Sequence, residues 1–186
     1  MVVNCCGQPN TVWTNDGNGN FTNSGQELGN SNSQSVALGD LDGDGNLDAM
    51  VANANQPSTV WTNDGNGTFT NSGQALGNSN SYSVALGDLD GDGDLDAWVA
   101  NYAGEPNRIW LNDGGGFFTN SGQLLGDEYS TLVALGDLDG DDDLDAYIAN
   151  VNYPNTVWFN DGNGTFASSG QVLVPAATSW SVALGD

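Results

Sequence analysis

Nine residues recur three times along the chain: DLDGDGNLD from Asp40 to Asp48, DLDGDGDLD from Asp88 to Asp96 and DLDGDDDLD from Asp137 to Asp145. In the first, Asp40, Asp42, Asp44 and Asp48 stand at positions 1, 3, 5 and 9 of a calcium loop. Gly45 sits at position 6, where the chain must turn sharply, and Asn46 at position 7, which normally offers its backbone carbonyl. Oxygen ligands at that spacing wrap a hard cation, and the cation offsets the repulsion among the carboxylates. The second copy repeats this with Asp88, Asp90, Asp92 and Asp96, with Gly93 at the turn and Asp94 at the carbonyl position. The third offers Asp137, Asp139, Asp141 and Asp145, with Asp143 at the carbonyl position and Asp142 in the glycine slot. Asp adopts left-handed backbone less readily than Gly, so a strained or weaker third site is expected.

The surroundings are not those of a helical calcium loop. That loop ends in a bidentate Glu at position 12, whereas Val51, Val99 and Ile148 stand here, inside β-like runs. The spacing points to a β-turn-β loop holding about three Ca²⁺. A solvated acidic hairpin is the alternative. Mg²⁺ fits less well because it demands near-ideal octahedral geometry. Zinc is disfavoured by the absence of His and by the distance of Cys5 and Cys6 from the loops.

The elements that must position these loops come from an internal repeat. VALGD occurs at Val36, Val84, Val133 and Val182, and W-x-N-D is found at Trp13, Trp61, Trp110 and Trp158. Phe21, Phe69, Phe118 and Phe166 follow, then Gln26, Gln74, Gln123 and Gln171. The chain reads as one repeat domain over residues 1–186, with units at 1–35, 36–83, 84–132 and 133–181. Each full unit supplies four short strands: SVALGD; LDAMVAN and its copies; TVWTN and its copies; and the stretch equivalent to Phe21–Leu28. The NDGNG between the last two suits a tight hairpin. The expected fold is all-β, a β-propeller of four-stranded antiparallel blades, with a parallel β-solenoid or an array of small sandwiches as alternatives. The first unit lacks its opening strand, and residues 182–186 are placed to complete it. About four repeat units then give either a closed four-bladed ring or part of a larger propeller or assembly.

Composition restricts function. The formal charge is −23, with Arg108 the sole basic residue. No basic surface exists to neutralise phosphates or anionic lipid, so nucleic acid and membrane surfaces are poor partners, and no apolar run is long enough to span a bilayer. Catalysis is not expected: there is no His or Lys, the clustered Asp obey the repeat, and a glycosidase-like carboxylate pair should break it. Cys5 and Cys6 are read as local or free thiols. Sequons at Asn20, Asn66 and Asn163 fall on the hairpins and are possible N-glycan sites in a glycosylating pathway.

The segments Val36–Asn53, Val84–Asn101 and Val133–Asn150, VALGDLDGDGNLDAMVAN and its two copies, resemble the integrin-type FG-GAP and VCBS repeat family. The resemblance covers essentially the whole chain. It implies a calcium-stabilised β-propeller, extracellular or at the cell surface, of the kind used in adhesion proteins and lectins, with six to eight blades in most members. It carries the Asp ligands named above onto these positions. Two function classes are expected: a recognition or adhesion module for carbohydrate or protein, and a self-assembling structural protein forming a fibre, sheath or ring. Variation among units at Gln34, Tyr82, Thr131 and Trp180, and at Met50, Trp98 and Tyr147, marks positions for either ligand stacking or packing between blades.

Overall fold

The computed structural model describes residues 1–173 and 178–185; Asp186, which ends the fourth VALGD, lies outside them. All regular structure is β, and no helix occurs among the described residues. Strands β1 (Asn10–Asn15) and β2 (Phe21–Leu28) form a two-stranded sheet, to which Val2 adds a bridge with Thr11. Three four-stranded antiparallel sheets follow. The first is β3 (Ser33–Gly39), β4 (Asp48–Asn53), β5 (Thr59–Asn63) and β6 (Phe69–Asn71). The second is β7 (Ser81–Gly87), β8 (Asp96–Asn101), β9 (Arg108–Asn112) and β10 (Phe118–Asn120). The third is β11 (Ser130–Gly136), β12 (Asp145–Asn150), β13 (Thr156–Asn160) and β14 (Phe166–Ser168).

Each sheet runs in sequence order, and the first strands pack on one another, β3 against β7 and β7 against β11. This is the arrangement of propeller blades; antiparallel pairing throughout excludes the parallel solenoid. The fourth strand is shorter than expected in the full sheets. After Asn71 and Asn120 the side-chain oxygen accepts a hydrogen bond from the glycine N–H two residues on, at 2.7 Å; Asn23 and Gly25 make the same bond at 2.8 Å within the eight-residue β2, so this turn alone does not end the strand. Pairing returns only at single bridges such as Ser58 to Leu76.

The core lies between sheets. Leu41, Met50, Val60, Val84, Val99 and Phe118 fill the junction of units 2 and 3, and Leu89, Trp98, Ile109, Val133, Ile148 and Phe166 that of units 3 and 4. Met50 and Trp98 are fully buried, Trp98 standing edge-on to Phe166, so these variable positions serve packing and cannot stack on a ligand. The glycine of VALGD permits the close approach of successive units: a methyl at Gly39 would meet Leu95 and Leu86, and one at Gly87 would meet Leu144 and Leu135.

Residues 178–185 pair with no strand of the first unit among the described residues. Ser179 N–H instead donates to the Asn150 carbonyl at 3.0 Å, and Leu184 lies against Gly136. That is the place Leu86 and Leu135 take against Gly39 and Gly87, so the segment occupies the position of a following unit's first strand. The expected completion of the first sheet by residues 182–186 is not seen among the described residues, which stop at 185.

The variable Gln34, Tyr82 and Thr131 fall where the register shifts, between Ser33 and Ser35 and at its copies. A bulge residue has no ladder partner, so its side chain is free to vary. Beneath the bulges runs a buried polar relay. Asn10 Nδ2 donates to Ser33 Oγ at 3.0 Å, which donates to Asn53 Oδ1 at 2.8 Å; Asn107, Ser130 and Asn150 repeat this. Unit 2 carries Ser58 in place of the asparagine, and its buried hydroxyl has no partner. Ser58→Asn is expected to restore the bond to Ser81 and raise unfolding stability by about 1 kcal/mol, read as a shift of the urea midpoint; an unchanged or lowered midpoint contradicts the relay.

Candidate metal centres

Each acidic loop connects the first and second strands of its sheet. Its last Asp opens the second strand and is fully buried: Asp48, Asp96 and Asp145 are 0% exposed. Backbone hydrogen bonds hold these carboxylates from two sides. Asp48 accepts from Leu41 N–H at 3.0 Å and Asn63 N–H at 2.7 Å. Asp96 accepts from Leu89 and Asn112 at 3.0 and 2.8 Å, and Asp145 from Leu138 and Asn160 at 2.9 Å each. Position 9 thus ties the loop to the third strand as well as facing the would-be cation.

The structure brings positions 1, 3 and 9 together. Asp40, Asp42 and Asp48 offer carboxylate oxygens within 4.8 Å of one another, as do Asp88, Asp90 and Asp96, and Asp137, Asp139 and Asp145. Position 5 lies outside each triad. Asp44 accepts from Asn46 N–H at 2.8 Å, and Asp92 and Asp141 accept from Asp94 and Asp143 N–H at 2.9 and 3.1 Å. These carboxylates stabilise the turn by local capping. The position-7 side chains of Asn46, Asp94 and Asp143 are also outside; they lie over Gly65, Gly114 and Gly162, where any side chain would collide with them. Asp142 has φ +74°, in the same left-handed region as Gly45 and Gly93 at +85° and +93°, so the expected backbone strain in the third loop is present.

The donor set fits a hard cation. Asp40 Oδ1 and Asp90 Oδ1 are buried with no hydrogen-bond donor, an uncompensated arrangement that a divalent ion would satisfy. The electrostatics agree. Burial, then the charges of Asp48 and Asp44, raises the Asp42 pKa; burial, then Asp92, raises that of Asp90. Burial pushes Asp96 up to about 6 despite the two backbone N–H groups that favour its charged form. At Asp139 and Asp143, which are less enclosed, slight desolvation and the charge of Asp141 raise the pKa.

Sequence reasoning missed the covers over these loops. The NDG hairpin of the following unit lies on the preceding loop: Gly116 beside Asp42, and Gly164 beside Asp90. Asn112 Nδ2 crosses to the Leu41 carbonyl and Asn160 Nδ2 to the Leu89 carbonyl, both at 2.9 Å. Gln26, Gln74 and Gln123 brace those hairpins from the preceding unit. Gln74 Nε2 donates to the Gly116 carbonyl at 2.6 Å while its Oε1 accepts from Phe118 N–H at 2.8 Å. Gln26 does the same at Gly67 and Phe69, and Gln123 at Gly164 and Phe166. The signal was the repetition of Asn and Gln beyond what a hairpin turn requires. The third loop has no such cover among the described residues, and Asp137 and Asp139 are exposed where their counterparts are half-buried.

Two matching clefts open at the far ends of the strands, on the junctions of units 1 and 2 and units 2 and 3. Each has a volume of about 200 Å³ and is lined by a Trp, several Asn and Ser, and the linker leaving the preceding unit. Cys5 and Cys6 are exposed and unbridged.

A sequence model of the family described as an FG-GAP-like repeat matches the chain four times, over residues 1–51, 40–99, 88–148 and 137–186. No curated protein matches it.

A pH dependence follows from Asp96. Its folded pKa of about 6 lies above the ordinary 3.8, so protonation stabilises the fold. That contribution is complete below about 3.8 and is lost as the pH rises through about 6. Protein in chelator is therefore expected to gain stability between pH 7 and 5. Calcium-saturated protein should show the opposite slope, since ligation requires ionised carboxylates. Denaturation midpoints across this range, with and without calcium, check both signs.

Proposed function

The chain belongs to the FG-GAP-like repeat family, and from that membership we propose that it is a calcium-stabilised β-propeller-type module, extracellular or at the cell surface, that binds rather than catalyses. One observation carries the reading: three Asp triads at the same place in successive sheets, two of them with a buried carboxylate oxygen lacking a donor. Recognition as the role of the module is favoured by the recurrence of a cleft at equivalent inter-unit positions, the pattern of a multivalent binder of carbohydrate or protein. A non-catalytic role is supported by the absence of His and Lys and by the commitment of the buried acids to loop architecture.

A second reading, self-assembly, rests on a different observation. Phe118 and Phe166 are 4% and 6% exposed and share clusters with Leu41 and Leu89, each 1% exposed. The equivalent Phe21 is 63% exposed, and Leu138, the equivalent leucine, is 36% exposed. A second copy of the chain would therefore present its Asp16–Asn20 hairpin and Phe21 to the uncovered Leu138 loop. The contact is head-to-tail, which generates rings or filaments.

Calcium titration of chelated protein should show about three sites, the exposed third the weakest. Unfolding should shift upward with calcium by about 2.7 kcal/mol per site at a hundredfold excess over Kd. Superimposable melts in calcium and chelator would remove the reading. For assembly, light scattering on the 186-residue chain should show mass rising with concentration, and Leu138→Asp should hold it monomeric; a concentration-independent monomer rejects the head-to-tail contact.

A further inference from the structure

Arg108 is the sole basic side chain of a chain with 24 acidic residues. No carboxylate lies within 4.0 Å of it among the described residues. Its one hydrogen bond, from Nη1 to the Gln123 carbonyl, is long at 3.4 Å. Even Glu105, three residues away, directs its carboxylate to the Asn80 N–H at 3.0 Å instead. An unpaired guanidinium amid so much negative charge is not explained by stability.

The side chain lines the cleft between units 2 and 3, with Trp110, Asn78, Ser79 and Asn120. The matching cleft between units 1 and 2 has Thr59 and Trp61 in the places of Arg108 and Trp110. The exchange of Thr for Arg alters two groups together. Trp13, Trp61 and Trp158 each donate their indole N–H to the threonine two residues earlier, at 3.1–3.2 Å. Trp110 has Arg108 there, and its Nε1 has no acceptor among the described residues. One cleft has therefore gained a cation and a free indole donor in the same place. The acidic loops stand at the other end of β7, about 20 Å away for a seven-residue strand, beyond the screening length at physiological salt.

We propose that this cleft binds a carboxylate-bearing sugar, a uronic acid residue of an acidic polysaccharide, with Arg108 and Trp110 Nε1 receiving the carboxylate. A guanidinium fork matches a carboxylate bidentately. The neutral amides and hydroxyls of Asn78, Asn120 and Ser79 match sugar hydroxyls, and a cavity of about 200 Å³ suits one ring. The proposal rests on the reading of the protein as a binding module and assigns that module one ligand chemistry at one junction.

The test uses the whole chain in calcium, titrated with galacturonate and with galactose. Binding is followed by calorimetry and by the indole N–H resonances. Galacturonate is expected to shift the Trp110 signal and galactose to bind at least tenfold more weakly. Arg108→Thr, which recreates the Thr59 arrangement, should weaken galacturonate at least tenfold with an unchanged melting midpoint in calcium. Thr59→Arg should create a second uronate site. Failure of galacturonate to bind, equal binding of galactose, or retained binding in Arg108→Thr, as from a uronate held on loop calcium, overturns the proposal. Calcium-dependent melting is read separately, so loss of the uronate site with calcium stabilisation intact rejects this inference alone.

Discussion

Carboxylates packed within 4.8 Å of one another repel, and the geometry of the molecule follows from how that repulsion is contained. Backbone N–H groups from the loop and from the third strand hold the last Asp of each loop, so the loop is fastened to its own sheet. Over the first two loops the hairpin of the next unit then closes. A cation at such a centre would act on two units at once: on the strands that supply its ligands and on the hairpin that shields them from water. Occupation of such a centre by a cation would thus be coupled to the docking of successive units through shared atoms, with no separate relay required.

The same economy appears in the core. No sheet has a hydrophobic centre of its own; the apolar clusters lie between sheets, where a single unit would expose them. Repeat architectures of this kind draw stability from nearest-neighbour interfaces. The polar contacts obey the same logic, with Gln26, Gln74 and Gln123 reaching forward to the next hairpin, and Asn112 and Asn160 reaching back to the previous loop. Units 2 and 3, and units 3 and 4, are thereby locked to each other from both directions.

Much of this was legible in the sequence. The hairpins, the second and third strands, and the loops in which positions 1, 3 and 9 come close together could be read there because each depends on residues near one another along the chain. The local bonds of Asp44, Asp92 and Asp141 were not visible there, since loop spacing does not register that each carboxylate accepts the backbone N–H two residues on. Trp98 was visible as a variation between units, but its complete burial depends on Phe166 from the following sheet. The asparagine and glutamine bridges join residues 41 to 71 positions apart, and periodicity reveals that such residues repeat without revealing what they touch. The shortened fourth strand was not visible there, since the same Asn turn stands in the eight-residue β2 and in the three-residue β6 and β10.

The glycine that ends each first strand has a consequence for shape. Gly39 and Gly87 lie where first strands meet, and the leucines of the next unit fill the volume a side chain would take. Neighbouring sheets are therefore wedges, narrow along the first strand and wide at the fourth. A single methyl at the narrow edge would open the wedge angle there while the glutamine clips held the wide edge fixed. The spacing of successive units at their first strands thus depends on the smallest residue the chain contains.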